Sequence, residues 1–265
     1  MLRIVVLAAL CTGLWAFAGG RKKTAPPGTV RVNDSLFMDR TEVAIVHWRE
    51  YTFWKMRLEG TADGSLPDSC WMPNEGYSGP GTSSDCTLGQ LYFRHPAFNF
   101  YPVVAVSYEQ AEAFCRWRTE RVNELIAREP HRWAFRQVRY RLPTEAEWEA
   151  AGQGGLDPAA FPFGVRDTVS RKGHALLNYG GRSHWGTYET GRPPEVATWP
   201  ADAGGKNGFG LYGMTGNVAE MTARPGIAKG GHYGLPADSC RITARQRYEG
   251  PQPWLGFRCV ATVER

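Results

Sequence analysis

The segment Asn207–Glu220 reads NGFGLYGMTGNVAE, and glycine recurs through it. Two shorter glycine-containing segments follow, Lys229–Tyr233 (KGGHY) and Leu255–Val260 (LGFRCV). Two longer segments precede them, Tyr101–Trp117 (YPVVAVSYEQAEAFCRW) and Arg139–Gly152 (RYRLPTEAEWEAAG). The 31 glycines and 18 prolines among 265 residues exceed the roughly 12% that these residue types reach on average. The composition therefore predicts a chain rich in loops.

In this order, the five segments resemble the sulfatase-modifying-factor domain, the fold of formylglycine-generating enzyme, over roughly residues 34–262. The resemblance implies an α+β, C-type-lectin-like fold, loop-rich and with little regular secondary structure. Within this family, residues 91–104 and 114–124 look nearest to the gliding-motility and type IX secretion lipoproteins of Bacteroidetes. Those proteins serve as building blocks of the cell envelope.

Capping patterns and apolar spacing predict three helices. Ser107 with Gln110 forms a capping-box pattern at the start of a long helix that reaches about Glu129. Thr144 with Glu147 repeats the pattern before a short helix that ends near residue 151. A third helix is predicted over residues 44–56, and short strands over residues 35–38, 103–106, 138–141, 196–199 and 257–262.

The N-terminus predicts export from the cytoplasm. Residues 1–18 combine Arg3, an apolar run and a small-residue pattern, which is the anatomy of a cleavable signal peptide. Residues 19–33 are predicted to be a flexible tether and residues 34–265 a single domain. Cys11 raises the alternative of an outer-membrane lipoprotein, although Leu10 precedes it where a small residue is expected. We therefore expect a periplasmic or secreted protein, which contacts a membrane only if it is lipidated at Cys11.

Five cysteines remain once the signal peptide is removed, and an odd number in an oxidising compartment leaves one thiol over. The resemblance implies a disulfide between Cys115 and Cys259. Cys70 and Cys86 flank a loop with few residues that can pack, and a second bridge there would stabilise it by about 3 kcal/mol. These two pairings leave Cys240 as the free cysteine, which is either a buried small hydrophobe or a functional thiol.

The resemblance also bears on copper. Cys240 matches the second of two cysteines, five residues apart, that bind copper in formylglycine-generating enzyme, where two thiolates hold Cu(I). Leu235 stands at the position of the first, and a leucine cannot ligate a metal. His232 replaces the serine that follows the family's Gly-Gly, and residues 217–221 read NVAEM instead of Asn-Val-Trp-Glu-Trp. We therefore expect no copper, and a catalytic Cys240 only if the domain is active.

Calcium is the other ion that the resemblance implies, held by backbone carbonyls and a few side-chain oxygens. Asn178 matches one calcium site, and Gly216, Val218 and Glu220 match the second. Gly213 stands where an Asp or Asn normally donates a side-chain oxygen, so the second site is expected to be weakened. The alternative is that Glu220 only receives backbone hydrogen bonds under the loop.

The remaining charged residues favour structural roles. Glu in the first turn of a helix suits the helix dipole, which accounts for Glu145 and Glu147 without acid/base chemistry. Arg245 and Arg258 are expected to hold buried loop carbonyls together. The net charge of +5 and the lack of a basic stripe or nucleic-acid motif disfavour binding to DNA or RNA.

These features lead to one main functional hypothesis: a non-catalytic extracytoplasmic domain, a pseudoenzyme, that takes part in an envelope assembly resembling gliding-motility and type IX secretion systems. Its expected partners are envelope proteins. The alternative is a copper-dependent formylglycine-generating oxidase or a related oxidative maturation enzyme. A lectin-like ligand module is a third possibility that rests on fold analogy alone.

Overall fold

The structure is a computed structural model, and it describes residues 22–59, 92–180 and 198–265. The helices are α1 (Ile45–Glu59), α2 (Tyr108–Arg128) and α3 (Glu145–Gln153). The strands are β1 (Thr29–Arg31), β2 (Leu36–Asp39), β3 (Gln137–Arg141), β4 (Ala219–Met221), β5 (Ile227–Lys229), β6 (Arg245–Arg247), β7 (Leu255–Gly256) and β8 (Val260–Glu264).

Both predicted capping boxes are present and fix the starts of α2 and α3. The Ser107 hydroxyl accepts from the Gln110 amide at 3.2 Å, and the Gln110 side chain accepts from the Ser107 amide at 2.8 Å. Thr144 and Glu147 make the same reciprocal pair at 3.2 and 2.9 Å. Each box satisfies two amides that the first turn of a helix leaves without partners, which is why these helices begin where the sequence predicts.

One sheet joins the two ends of the domain in the order β1-β2-β8-β3, with every neighbouring pair antiparallel. Val260 of the last strand lies between Met38 and Arg141, so the C-terminal strand is central. Strand β1 pairs with β2 although Thr29–Arg31 falls inside residues 19–33, the stretch predicted to be a tether. The ordered domain therefore begins earlier than the predicted boundary.

The second sheet has the order β6-β5-β4-β7, and it is built from the glycine-containing segments. Strand β4 is antiparallel to β5 and parallel to β7, with Ala219 opposite Leu255. No strand of this sheet exceeds three residues, and loops lie at both ends of its strands. Those loops carry the residues of interest, 213–218 before β4 and 230–240 after β5.

Three of the predicted strands differ from the structure. Residues 103–106 are buried but form no strand, because the Val103 amide donates to Val43 and the Ala105 amide to Gln252, in different parts of the chain. Ala105 also has a φ of 57°, which a continuous strand does not allow. The strand predicted over 257–262 is displaced to Val260–Glu264. Of residues 196–199, only 198 and 199 are described, and neither lies in a strand.

The main core lies between α1, α2 and the two sheets. Trp48 stacks on Phe114 at 5.8 Å between ring centroids, and both rings meet Phe257 edge to face. Helix α2 also covers the outer edge of β3: Asn123 exchanges hydrogen bonds of 2.9 Å with both the amide and the carbonyl of Val138. These side-chain bonds satisfy an edge strand that would otherwise expose its backbone to pairing. In the described ranges, no helix is long and apolar enough to span a membrane.

Candidate functional site

Cys240 ends the short 3-10 turn Ala237–Cys240 and is completely buried. Its thiol points back at the loop that precedes it, with Sγ 3.8 Å from the His232 carbonyl and 4.0 Å from the Leu235 carbonyl. Gly231 allows this approach, because a Cβ added there would lie 2.4 Å from the sulfur. Burial raises the pKa of the Cys240 thiol to about 11, so the thiol stays protonated at neutral pH.

Leu235 packs against the same small cluster as Cys240, beside Leu177 and Tyr179. Leu235 and Cys240 therefore share one apolar cluster. Cys115 and Cys259, the other cysteines that the structure describes, belong to the main core instead. In the described part of the chain, the Cys240 cluster contains no second sulfur.

The predicted disulfide partners Cys115 and Cys259 are both buried, and their sulfur atoms lie 3.4 Å apart. This separation is longer than a disulfide bond but places the two thiols in direct contact. The bond between them stays a prediction. Cys70, Cys86 and Cys11 lie outside the described residues.

His232 fills the position of the family's serine with a stacked, uncharged ring. Its imidazole lies on Trp254 with 4.8 Å between centroids and 18° between planes, and its Nδ1 accepts from the Gly234 amide at 3.2 Å. Burial lowers the pKa of His232 to about 4, so the ring is neutral near pH 7. Across residues 22–59, 92–180 and 198–265, no three His, Cys, Asp or Glu side chains gather as a metal site. His232 is therefore a packing residue of this cleft.

A second site lies around Glu220, which is completely buried. Arg258 donates to both oxygens of its carboxylate, with Nε–Oε2 at 2.6 Å and Nη2–Oε1 at 2.5 Å. Trp148 donates its indole N–H to Oε2 at 2.7 Å. The alternative in which Glu220 receives only backbone hydrogen bonds is wrong, because these three donors are side chains. Arg258 also donates to the carbonyls of Asp39 and Tyr212, which confirms its expected role as a clamp on loops. Arg245, by contrast, is exposed and pairs with Glu145.

Asn217 connects Asn178 with the loop 213–218, the two places where calcium ligands were expected. Its amide donates to the Asn178 carbonyl at 2.7 Å, and its Oδ1 accepts from the Asn178 side chain at 3.1 Å. The contact is close because Gly216 has no side chain: a Cβ there would lie 2.1 Å from the Asn178 carbonyl oxygen. Asn217 itself adopts a φ of 61°, in the left-handed region that asparagine tolerates better than most residues. The loop and Asn178 therefore form one packed unit.

Glu42 joins this unit although no pattern in the sequence singled it out. It lies just before α1 and is buried, with Oε1 accepting from the Asn217 side chain at 2.9 Å. Its other oxygen lies 3.9 Å from Nη2 of Arg258. Burial raises the pKa of Glu42 to about 8, and the neighbouring Glu220 adds to the rise while Arg258 opposes it. Glu42, Glu220 and Arg258 thus form a buried ionisable triad.

Residues 9–263 match the family described as the Sulfatase-modifying factor enzyme 1-like domain. The chain belongs to this family. The formylglycine-generating enzyme of Thermomonospora curvata is 35% identical over 123 residues, 46% of this chain and 33% of that protein. The mouse formylglycine-generating enzyme is 30% identical over 187 residues, 61% of this chain and 44% of that protein. The mouse protein named inactive C-alpha-formylglycine-generating enzyme 2 is 30% identical over 181 residues, 62% of this chain and 50% of that protein.

This sulfatase-modifying-factor domain spans about a third to a half of the length of these curated relatives. Among solved structures, PvdO from Pseudomonas aeruginosa superposes with a TM-score of 0.52 at 19% identity, covering 86% of this chain and 80% of that one. At this identity the likeness shows the fold alone. The predicted family and the predicted α+β, loop-rich fold class are therefore confirmed.

Proposed function

We propose that this sulfatase-modifying-factor domain is a non-catalytic extracytoplasmic protein and a structural or binding component of an envelope assembly, of the gliding-motility and type IX secretion kind. The observation that carries the proposal is the apolar contact of Leu235 with the buried Cys240 cluster. Leu235, at the position that the family resemblance assigns to the first copper ligand, contributes an apolar side chain there.

The chemistry of the cleft supports a loss of copper binding. Cu(I) is selected by soft anionic ligands, and a pair of thiolates is what the family uses. Here one thiolate position is a leucine, and the remaining thiol has a pKa raised to about 11 by its surroundings. Forming even one thiolate in this cluster is therefore unfavourable at neutral pH, and the imidazole of His232 is held in a stack on Trp254.

Two further observations support the role as a component of an assembly. The family includes a relative named inactive, so the scaffold also occurs in a protein described as lacking activity. The N-terminal segment has the anatomy of a signal peptide, and residues 91–104 and 114–124 resemble envelope proteins of the gliding-motility branch. A folded domain without catalysis outside the cytoplasm serves most directly as a binding surface.

The copper test uses the mature chain, a Cu(I) titration against a competing chelator and a Cys-x-Pro-x-Arg peptide. We expect that the chain binds no copper ion through Cys240 and that no aldehyde forms in the peptide. Leu235→Cys restores a second thiol five residues before Cys240 and should gain copper binding, whereas Leu235→Ala, the matched control, should not. The oxidase alternative would be established by two results together. The wild-type chain would bind one copper ion that Cys240→Ser abolishes, and the peptide would form an aldehyde.

The assembly test is carried out in the native host. Deletion of the chain should impair gliding or type IX secretion, and re-expression of the Cys240→Ser variant should restore it as fully as the wild type does. Cross-linking from the periplasmic side should recover an envelope protein with both versions. A deletion strain without a defect, together with cross-links that recover no envelope protein, would refute the assembly role.

A further inference from the structure

The outer side of α1 carries four exposed residues in a regular pattern. Glu50, Phe53, Trp54 and Arg57 stand at positions i, i+3, i+4 and i+7, so they lie on one side of the helix. Phe53 and Trp54 are 56% and 36% exposed. We call these four residues the α1 stripe. Single exposed apolar residues are common on protein surfaces, whereas neighbouring rings bordered by charged residues are typical of a contact surface.

The opposite side of α1 is fixed in the main core. Trp48 stacks on Phe114 of α2 with 5.8 Å between ring centroids, and Tyr51 meets the same ring edge to face at 5.6 Å. Trp48 and Tyr51 are both buried. The helix therefore cannot rotate to bury the α1 stripe without breaking these contacts, and the stripe is held on the outer side.

Guanidinium groups hold both rings of the stripe in place. That of Arg57 lies 5.4 Å from the centroid of the Phe53 ring, and that of Arg121 on α2 lies 5.1 Å from the Trp54 ring. These cation–π contacts favour one orientation of each ring in the free chain. A side chain that is already ordered loses less conformational entropy when a partner binds, so the α1 stripe is prepared for association.

The charges at the two ends of the stripe are opposite. Glu50 and Arg57 are seven residues apart, which is about 10 Å along an α-helix, and the two rings lie between them. Among the residues that the structure describes, Arg57 has no carboxylate partner and Glu50 has no cationic partner. A negative end, an apolar centre and a positive end form a pattern that matches its own copy turned end to end.

The spacing of the four residues gives this match a single register. A two-fold axis that passes midway between Phe53 and Trp54 also passes midway between Glu50 and Arg57 along the helix. An antiparallel pair of α1 helices around this axis places Glu50 of each copy opposite Arg57 of the other, and it brings the rings of both copies together at the axis. A two-fold interface uses the same patch on both subunits, so the ion pair is made twice.

The same charges disfavour other occupants of this surface. An anionic membrane surface would attract Arg57 but repel Glu50. An unrelated protein would have to present the reverse order of charges at the same spacing around an apolar centre. A second copy of this chain supplies that order without any further requirement.

We propose that the α1 stripe is a two-fold dimer interface, and that its partner is a second copy of this chain. The stripe supplies only four residues per copy, and interfaces that bury less than about 1,200 Å² are typical of weak, transient complexes. The dimer is therefore weak and reversible. It goes beyond the proposed function and is independent of it, since an active enzyme and a non-catalytic component could both form it.

The test is sedimentation equilibrium of the mature chain, from micromolar to submillimolar concentration. The wild type should associate reversibly to a dimer and no further, because a two-fold contact closes on itself. Glu50→Arg and Arg57→Glu each replace two attractive contacts by two repulsive ones. Each substitution should therefore weaken the association about tenfold or more.

Mixing these two variants tests the register. The Glu50→Arg chain has cations at both ends of its stripe, and the Arg57→Glu chain has carboxylates at both ends. Mixed in equal amounts, they should form a heterodimer about as strong as the wild-type dimer, and the double variant Glu50→Arg/Arg57→Glu should again associate with itself. Glu249→Arg and Arg116→Glu, at exposed positions outside the stripe, are the matched controls and should dimerise as the wild type does.

A further variant tests the apolar centre. Phe53→Ser should weaken the association about tenfold or more, because a ring at the centre of an interface contributes much of its binding free energy. Its Tm should stay close to that of the wild type, since the Phe53 side chain is exposed in the single chain. Thermal unfolding of every charge variant provides the same check on folding.

Three results would overturn the proposal. A wild-type chain that stays monomeric at submillimolar concentration does not use the stripe to bind a second copy. A dimer that Glu50→Arg, Arg57→Glu and Phe53→Ser all leave as strong as the wild type is formed by another surface. Variants of opposite charge that do not associate on mixing contradict the antiparallel register. None of these results involves copper or an envelope protein, so they are separate from the tests of the proposed function.

Discussion

Replacing Arg258 by methionine should destabilise the chain far more than replacing its partner Glu220 by glutamine. In a calcium-free chain at pH above 8, the triad of Glu42, Glu220 and Arg258 carries a net charge of −1. Arg258→Met leaves two buried carboxylates and no cation among the three. Glu220→Gln leaves one carboxylate and one guanidinium, which are already 3.9 Å apart and can pair.

The expected magnitudes follow from these charges and contacts. Removing one partner of a buried ion pair typically costs 3–5 kcal/mol of stability, on the order seen when an uncompensated charge stays buried. Arg258→Met also removes the donors to the carbonyls of Asp39 and Tyr212, at about 1 kcal/mol each. We expect a total loss of about 5–7 kcal/mol for Arg258→Met. For Glu220→Gln we expect about 1–3 kcal/mol, because the glutamine can still accept from Trp148.

The assay is urea unfolding followed by tryptophan fluorescence, in buffer above pH 8 that contains a chelator. It is applied to the wild type, both single variants and the double variant. The double variant should be less destabilised than the sum of the two single changes, because Glu220→Gln removes one of the charges that Arg258→Met exposes. Equal losses for the two single variants, or a larger loss for Glu220→Gln, would refute the charge count on which this reasoning rests.

Three further predictions test other parts of the molecule. In calcium-free buffer, the free energy of unfolding of the wild type, relative to that of Glu42→Gln, should fall by about 4 kcal/mol between pH 4.5 and pH 8. Burial raises the pKa of Glu42 to about 8, so the folded state keeps this proton at pH values where the unfolded state has lost it. Urea unfolding at several pH values that gives a constant difference would contradict this. Under oxidising conditions Cys115→Ser should lower the free energy of unfolding by about 2–5 kcal/mol, more than Cys240→Ser does. If the difference between the two variants in urea unfolding is the same after reduction, the disulfide is contradicted. Asn123→Ala should lose about 1–3 kcal/mol in thermal unfolding, and no loss would show that the β3 edge does not need these bonds.

The sequence predicted best those features that depend on neighbouring residues. The capping boxes at Ser107 and Thr144 depend on residues three positions away, and both are present. The contact of Leu235 with Cys240 spans five residues within one loop, so the register of the family motif was enough to anticipate it. Arg258 and Arg245 were both expected to hold loop carbonyls together, and only Arg258 is seen to do so, since Arg245 is exposed and pairs with Glu145.

Features that depend on distant pairing were not predictable in this way. Glu42 meets Asn217 across 175 residues, and its neighbours in the sequence give no indication that it is buried or that it faces Gly213. The strands of the second sheet have two or three residues, which is too short for the alternation that identifies a strand. Residues 103–106 have the composition of a strand, yet their amides bond to separate segments, which only the folded chain determines.

The position of Cys240 gives this residue a structural role in the loop. Its sulfur lies against the space that Gly231 leaves open, and a larger residue at position 240 would press on a backbone that already has a φ of 68°. The Cys240 cluster is also separate from the main core, which contains Phe257 and Cys259 on either side of Arg258 in the sequence. A leucine at position 235 therefore adds apolar packing to one cluster without disturbing the contacts that hold the sheets together. The burial of Cys240 and its close packing against Gly231 account for a small residue at this position.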